Sequence, residues 1–353
     1  MKNLNNIIST FRVSLMGISF AAACSYIGTD VVWADTQDDS ESITDTAMGT
    51  DCSVKVFGAK GTAKNIMEML SDIENKYLSW RVEGSDIANI NENASETESV
   101  TPSEWTYDYL KKIVELAQKS NGAFDPTLGL LSQLWNLGTA NPYIPQKSEV
   151  TELLSKTGWK NISLDDGEVL LKDGVQIDLG AVGKGIGCDE ALKLLEENDA
   201  SAAVVSVGGS ILTYGEKPDG NPWKVGIANP RNEDGESYLG ALTIEGTKSI
   251  STSGDYEKYV IEDGVRYHHI LDPKTGYPAD SGLISVTIVC DEGWLSDGLS
   301  TACFVLGYDD SLSLLEEYDA EAIFVTEDKE VLVTDGLKDI FTLTDSAYEQ
   351  VEK

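Results

Sequence analysis

Histidine, basic residues, cysteine pairs and long apolar runs are scarce in this sequence, and each scarcity excludes a class of protein. The 353 residues include two histidines and five cysteines, and no two cysteines form a CxxC pair, so neither a zinc site nor a disulfide framework is indicated. Acidic residues outnumber basic residues 60 to 26, giving a net charge of −34 that repels nucleic-acid backbones. No GxSxG motif supports a serine hydrolase. We interpret Cys52, Cys188, Cys290 and Cys303 as small buried hydrophobic residues.

The N-terminus predicts a targeting segment, because Lys2 and Arg12 precede the apolar run VSLMGISFAAA, which is too short to cross a bilayer. Two cleavage sites are compatible with it. Small residues before Cys24 resemble a lipoprotein processing site, although Ala21 stands where leucine is usual, and VWA before Asp35 resembles ordinary signal cleavage. We favour the lipoprotein, and both alternatives predict a mature protein that works outside the cytoplasmic membrane.

Composition divides the chain into three segments. Residues 1–34 form the targeting segment, and residues 35–46 contain the acidic, Ser/Thr-rich stretch TQDDSESITDT, which predicts a flexible tether. Residues 47–345 contain no further linker, repeat or low-complexity stretch, so they predict one folded domain.

The pattern of apolar residues predicts an α+β fold. Helices are predicted at 62–79, 102–119, 148–156, 188–198, 297–306 and 310–318, and strands at 52–58, 168–178, 202–213, 223–228, 239–245, 256–271, 283–290 and 321–333. The Asp-Gly pair in VIEDGVRY predicts a hairpin whose returning arm carries both histidines. Strands and helices come in clusters without strict alternation. This favours mixed or antiparallel sheets with flanking helices over a doubly wound parallel sheet.

The stretch DLGAVGKGIGCDEALKLL, residues 178–195, is rich in glycine and matches neither familiar phosphate loop. Gly185 follows Lys184 where a Walker A loop requires Ser or Thr, and the glycine spacing is not GxGxxG. A ligand could still approach the backbone closely, and Lys184 could reach a phosphate at the start of the following helix. A tight turn from strand to helix with an exposed lysine explains the same residues.

In SDGLSTACFVLG, residues 296–307, Asp297 and Thr301 are four positions apart and would share one face of a helix. A carboxylate and a hydroxyl suit Mg²⁺, which binds a few protein oxygens together with water and substrate phosphates. Taken alone, an Asp near a helix start is more often a cap, and a Thr inside a helix more often packs.

Both histidines lie in RYHHILDPKTGYP, residues 266–278. On an extended strand His268 and His269 point to opposite faces, so at most one enters a given site. That histidine could act as a general base, because imidazole has an unperturbed pKa near neutrality. The alternative is one solvated and one packed histidine.

The order of the motifs resembles that of the FAD:protein FMN transferases, the ApbE-type flavin transferases. The motifs run between about residue 46 and residue 335: AMGT, WRVEGSDIANIN, GAFDPTLGLL, DLGAVGKGIGCDEA, VGGSI, PWKVGIANP, STSGDY, HHILDPKTGYP and SDGLSTA. The resemblance implies that the FAD site is lined by Met48, Trp80, Ala123, Phe124, Asp125, Asp178, Lys184 and Ile270. It implies Mg²⁺ ligands at Asp297, Thr301 and the carbonyl of Ala181, and a catalytic base at His269. The loop between Trp80 and Ser85 is one residue longer than the commonest family form.

The resemblance also implies the reaction. FAD binds with Mg²⁺, a Thr or Ser hydroxyl of an acceptor protein attacks the phosphorus on the FMN side, and AMP leaves. The implied acceptor is an extracytoplasmic redox protein with an FMN-binding domain. Two alternatives stay open: an Mg²⁺-dependent FAD pyrophosphatase, with water as acceptor, and a lipoprotein that binds FAD without catalysis. The products separate transfer from the pyrophosphatase, as protein-bound or free FMN. The presence of His269, Asp297 and Thr301 together argues against the binding lipoprotein, because storage of FAD needs no base.

Overall fold

The computed structural model describes residues 30–31, 39–232 and 237–353 and shows the predicted α+β fold. The predicted targeting segment 1–34, including Cys24, lies outside the described residues except for the short strand Asp30–Val31. No helix in the described ranges is both long and apolar enough to span a bilayer. Cys52, Cys188, Cys290 and Cys303 are buried and unbridged, which confirms their interpretation as packing residues.

The helices and strands of the described residues alternate in clusters along the chain. The helices are α1 Thr62–Ile73, α2 Asp86–Asn93, α3 Glu104–Lys119, α4 Gly129–Trp135, α5 Lys147–Leu154, α6 Gly183–Glu197, α7 Gly293–Leu306 and α8 Tyr308–Glu317. The strands are β1 Asp30–Val31, β2 Ser40–Ala47, β3 Thr50–Phe57, β4 Ile162–Asp165, β5 Glu168–Leu171, β6 Ala202–Val207, β7 Ser210–Gly215, β8 Trp223–Ala228, β9 Tyr238–Ile244, β10 Lys248–Gly254, β11 Tyr259–Glu262, β12 Val265–His268, β13 Leu283–Cys290, β14 Glu321–Thr326, β15 Glu330–Val333, β16 Phe341–Leu343 and β17 Glu349–Val351.

A large, mostly antiparallel sheet forms the middle layer. In the described part of the chain it has nine strands in the order β17-β15-β14-β13-β10-β7-β6-β3-β2, with a parallel pair only at β15 and β17. Both faces of this sheet are covered. In β14, Ala322 and Phe324 belong to the core cluster that includes residues of helices α2, α3, α7 and α8, whereas Ile323 and Val325 belong to the cluster that includes residues of the sheet β1-β8-β9-β16. The order of layers is therefore helices, large sheet, small sheet.

The folded domain is longer at both ends than the sequence predicts. Residues 35–46 were expected to be a flexible tether, but Ser40–Ala47 pairs along its whole length with β3, from Ser40 opposite Phe57 to Ala47 opposite Thr50. Pairing with β3, together with packing of Ala47 and Ile43 in the core, orders this edge strand, and the exposed side chain of Asp45 helps to protect its free edge. At the other end, β17 extends the sheet beyond residue 345.

Several predicted elements have different boundaries. The strand predicted at 168–178 ends at Leu171, the strand predicted at 321–333 is the hairpin β14–β15, and the helix predicted from residue 297 begins at Gly293. The strand predicted at 202–213 is the hairpin β6–β7, which turns at Gly208 and Gly209. The helix predicted from residue 188 begins at Gly183, because its glycines allow close contact with α7 rather than breaking the helix. Helices α2 and α4 were not predicted.

Candidate active site

A cavity of about 530 Å³ is bordered by the first turn of α6, the second and third turns of α7, the β6–β7 turn and the segment after β12. Every site residue predicted from the sequence except Trp80 lines it. Those residues are Met48, Ala123, Phe124, Asp125, Asp178, Ala181, Lys184, His269, Ile270, Asp297 and Thr301. The structure therefore brings together residues that are as far as 253 positions apart (48 to 301).

Hydrogen bonds between loops bring several motifs to this cavity. The side chain of Asn91, in α2, donates to the carbonyl of Ile177 (2.8 Å) and accepts from the N–H of Ile177 (2.7 Å). The N–H of Asp178 donates to the carbonyl of Pro126 (2.8 Å). The motifs WRVEGSDIANIN, GAFDPTLGLL and DLGAVGKGIGCDEA therefore meet because these hydrogen bonds satisfy main-chain groups of Ile177, Asp178 and Pro126.

Lys184 and Asp297 form a partly buried ion pair at the centre of the site. Lys184 Nζ lies 3.2 Å from Asp297 Oδ1, and the N–H of Gly185 donates to Oδ2 of the same carboxylate (3.0 Å). Burial lowers the pKa of Lys184, but the nearby carboxylates of Asp297 and Glu257 outweigh it and raise that pKa, so the ammonium stays charged. The pair supplies a cation and an oxygen ligand side by side.

The first turns of α6 and α7 touch through glycine. A Cβ on Gly185 would lie 2.0 Å from the carbonyl oxygen of Gly293 and 2.8 Å from Cβ of Asp297. Only a residue without a side chain fits there. Asp189 of α6 ties the helices further, because its carboxylate accepts the N–H groups of Gly293 (2.6 Å) and Trp294 (2.8 Å). This contact sets Asp297 against the start of α6.

The oxygen atoms on this side of the cavity form a set that suits a hard cation. Thr301 Oγ1 lies 3.2 Å from Ser253 Oγ, one helical turn after Asp297. Since the N–H of Gly185 bonds Asp297, it does not close a helical turn onto the carbonyl of Ala181, four residues earlier. No cluster of three or more His, Cys, Asp or Glu among the described residues could hold a metal. One carboxylate, one hydroxyl and one carbonyl fit Mg²⁺ completed by water and phosphate.

The two histidines point to different surroundings, as the strand geometry predicts. His268 is buried, its Nε2 lies 3.1 Å from the carbonyl oxygen of Ala279, and its ring contacts Phe304 edge-on. His269 lines the cavity, and its backbone N–H donates to the carbonyl of Lys258 (3.0 Å). Burial, with Lys258 and the other nearby cations, lowers the pKa of His269 to about 3, so its imidazole is neutral.

Asp125 has both carboxylate oxygens committed to hydrogen bonds within the protein, one to its own loop and one to the segment at Trp159. Oδ1 accepts from the N–H (2.8 Å) and the hydroxyl (2.6 Å) of Thr127, and Oδ2 accepts from the N–H of Trp159 (3.0 Å). Thr127 in turn accepts from the N–H of Gly158 (2.7 Å). Asp125 therefore lines the cavity chiefly as the residue that fixes its wall.

Met48 and Trp80 differ in their relation to the cavity. Met48 has a left-handed backbone (φ 54), its N–H donates to Glu74 Oε2 (2.6 Å), and its side chain covers Gly183 and Gly187 of α6. Trp80 does not line the cavity. The guanidinium of Arg81 stacks on its ring at 3.9 Å, and it is Arg81 that reaches the cavity wall.

Several cavity residues were missed by sequence reasoning. Glu257 and Lys258 follow the motif STSGDY, Ser253 lies within it, and Gly208 and Gly209 lie within VGGSI. Both motifs contribute to the family resemblance, but nothing in their spacing shows that β10 and the β6–β7 turn flank the same cavity. The only signal in the sequence was that two charged residues, Glu257 and Lys258, stand next to each other directly after a Ser/Thr-rich stretch.

Comparison with known proteins agrees with this geometry. The model of the ApbE family matches residues 48–324, most of the chain and all the site residues above. The chain belongs to the ApbE family. It is 33% identical over 325 residues to the FAD:protein FMN transferase of Treponema pallidum, covering 85% of this chain and 88% of that protein. It is 30% identical over 317 residues to the Escherichia coli protein of the same name, covering 85% and 88%.

Solved structures of ApbE proteins share the fold. The crystal structure of the ApbE protein from Thermotoga maritima superposes with a TM-score of 0.78 at 35% identity, covering 85% of this chain and 99% of that one. The apo flavinyl transferase ApbE of Pseudomonas stutzeri gives 0.75 at 26% identity, covering 89% and 100%. The resemblance drawn from the motifs and the α+β assignment are both confirmed, and the family places this chain among the flavin transferases.

Proposed function

We propose that this chain transfers FMN from FAD to a Thr or Ser hydroxyl of an acceptor protein and releases AMP. The observation that carries the proposal is that Lys184, Asp297, Thr301 and the neutral His269 line a single cavity. A metal-binding pair of oxygens, a cation for phosphate and a proton acceptor are the groups that phosphoryl transfer requires. Relatives such as the Treponema pallidum protein carry the matching name.

The residues that would hold Mg²⁺ are Asp297, Thr301 and the carbonyl of Ala181. When bound there, the ion would neutralise charge on the pyrophosphate of FAD. The donor set supports this role, since it offers a single carboxylate and leaves room for water and phosphate oxygens.

The other residues act on the two reacting oxygens. His269, being neutral, accepts the proton of the acceptor hydroxyl while that oxygen bonds to the phosphorus on the FMN side. The bond from this phosphorus to the bridging oxygen breaks, and AMP leaves with the bonding electrons. Lys184 places its ammonium beside the pyrophosphate, where negative charge develops. The loop fixed by Asp125 and the buried ring of Phe124 would exclude water from this side.

We also propose that the mature protein works outside the cytoplasmic membrane, anchored by a lipid on Cys24. The pairing of Asp30 with Gly226 and of Val31 with Val225 supports cleavage before Cys24. Cleavage after Ala34 would remove this strand from the small sheet, whereas cleavage before Cys24 would keep it. The acceptor would be an extracytoplasmic redox protein with an FMN-binding domain.

The proposal is tested with the full-length chain in detergent, FAD, Mg²⁺ and a candidate FMN-binding acceptor domain. A denaturing gel viewed under ultraviolet light should show a fluorescent acceptor band that is absent with EDTA. A dark band with FMN and AMP in solution would identify a pyrophosphatase. A dark band with unchanged FAD across a panel of acceptor domains would identify an FAD-binding protein without catalysis.

A further inference from the structure

Glu257 is a carboxylate in the cavity that none of the roles above uses. It lies three residues after the end of β10 and lines the same cavity as Lys184 and Asp297. Its Oε1 is sealed from solvent and has no hydrogen-bond partner. Because a buried carboxylate oxygen is costly without a donor or a cation, an unpaired one in a ligand cavity indicates a partner that it gains when the ligand binds.

The β6–β7 turn holds this carboxylate in place. A Cβ on Gly209 would lie 3.1 Å from Oε1 of Glu257 and 3.0 Å from the carbonyl oxygen of Thr252. The carboxylate therefore packs directly on the backbone of the turn, which leaves it little room to withdraw. Any partner for Glu257 has to come to it from within the cavity.

Lys184 is attracted by two carboxylates and is paired with one. Its Nζ lies 3.2 Å from Oδ1 of Asp297, and the charge of Glu257 helps to raise its pKa. Oδ2 of Asp297 already accepts the N–H of Gly185, so Oδ1 is the oxygen that both Lys184 and a metal ion need. An ammonium and a divalent cation that share one carboxylate oxygen lie only a few ångströms apart and therefore repel each other strongly.

We propose that Glu257 is a positioning residue, which receives the ammonium of Lys184 when Mg²⁺ occupies Oδ1 of Asp297. This inference rests on the metal-dependent function proposed above. The exchange keeps Lys184 paired with a carboxylate while its ammonium stays beside the pyrophosphate. Because Lys184 competes with the metal for Asp297, Glu257 strengthens metal binding mainly through Lys184 rather than directly.

A double-mutant cycle on metal affinity tests the inference without measuring turnover. Mn²⁺ binding is followed by the electron paramagnetic resonance signal of the free ion, using the full-length chain in detergent with saturating FAD and no acceptor. Four proteins are compared: wild type, Glu257→Gln, Lys184→Met and the double variant. Asp51→Asn is the matched control, because it also changes a cavity carboxylate to an amide while keeping the oxygen that accepts from Thr46 (3.2 Å).

Glu257→Gln should weaken Mn²⁺ binding about tenfold when Lys184 is present and less than about threefold in the Lys184→Met background. Asp51→Asn should change it less than about twofold. Equal losses in the two backgrounds would show that Glu257 acts on the metal directly and would overturn the exchange. No Mn²⁺ binding by wild type with FAD present would instead contradict the metal-dependent function itself.

Discussion

Replacing Gly185 by alanine should separate the two halves of the metal site. The new methyl group would lie 2.0 Å from the carbonyl oxygen of Gly293 and 2.8 Å from Cβ of Asp297, so α6 and α7 must move apart by more than 1 Å. Overpacking of this kind costs about 1–3 kcal/mol, which exceeds the helix-propensity gain of at most about 1 kcal/mol for Gly to Ala. We expect a net loss of up to about 2 kcal/mol in the free energy of unfolding.

The movement should also weaken metal binding, since Asp297 and Thr301 belong to α7 whereas Ala181 lies two residues before α6. Displacing a metal ligand through its supporting contacts costs about tenfold to a hundredfold in affinity. Urea unfolding and Mn²⁺ binding with FAD measure the two effects.

Gly183→Ala is the matched control, because it lies on the same first turn of α6 with room for a methyl group. A Cβ there would meet Cδ1 of Leu78 and Cε of Met48 at 3.7 Å, an ordinary contact. This variant should be as stable as wild type or more stable, by up to about 1 kcal/mol, and should bind metal normally. If Gly185→Ala matched Gly183→Ala in both urea midpoint and metal affinity, the close contact between α6 and α7 would not position the site.

Three further predictions concern other residues of the site. The pKa of His269 lies near 3 in the folded chain, below its ordinary value of 6.5, so the unfolded chain takes up a proton that the folded chain does not. Stability should therefore fall as pH drops from about 6.5 towards 3, by at most about 5 kcal/mol from this residue, and urea titrations of His269→Gln should show a shallower fall. Asp125→Ala should lower the free energy of unfolding by about 2–4 kcal/mol, because three donors lose their acceptor, and Asp125→Asn should lose less. Trp80→Phe should change the FAD dissociation constant less than about threefold, measured by flavin fluorescence, because Phe keeps a face for Arg81; a loss of tenfold or more would place Trp80 at the ligand.

The parts of the site that depend on local spacing could be predicted from the sequence. Asp297 and Thr301 share a helix face, and His268 and His269 alternate on a strand, so three- to four-residue and two-residue periods were enough to predict them. The order of motifs did the rest, because it identified the family and thereby placed remote residues such as Met48 and Lys184 in one site.

Long-range packing was the part that could not be predicted. The glycines at 183, 185 and 187 suggested a turn or a phosphate loop, and only the contact between Gly185 and Gly293 explains why they continue a helix. Likewise, the bonds that commit Asp125 to Thr127 and Trp159 are invisible in a motif that merely places it near FAD. The acidic, Ser/Thr-rich composition around the edge strand Ser40–Ala47 predicts a tether, because composition contains no information about the pairing of this segment with β3.

Intact mass spectrometry of an acceptor domain tests the central claim most directly. The acceptor is incubated with FAD, Mg²⁺ and either the wild-type chain or the His269→Ala variant, and AMP is counted in the same mixture. Wild type should add one FMN as a phosphoester for each AMP released, and His269→Ala should leave the acceptor unmodified while still binding FAD. Equal modification by both proteins would contradict the role of His269, and release of AMP with no gain in acceptor mass would contradict transfer.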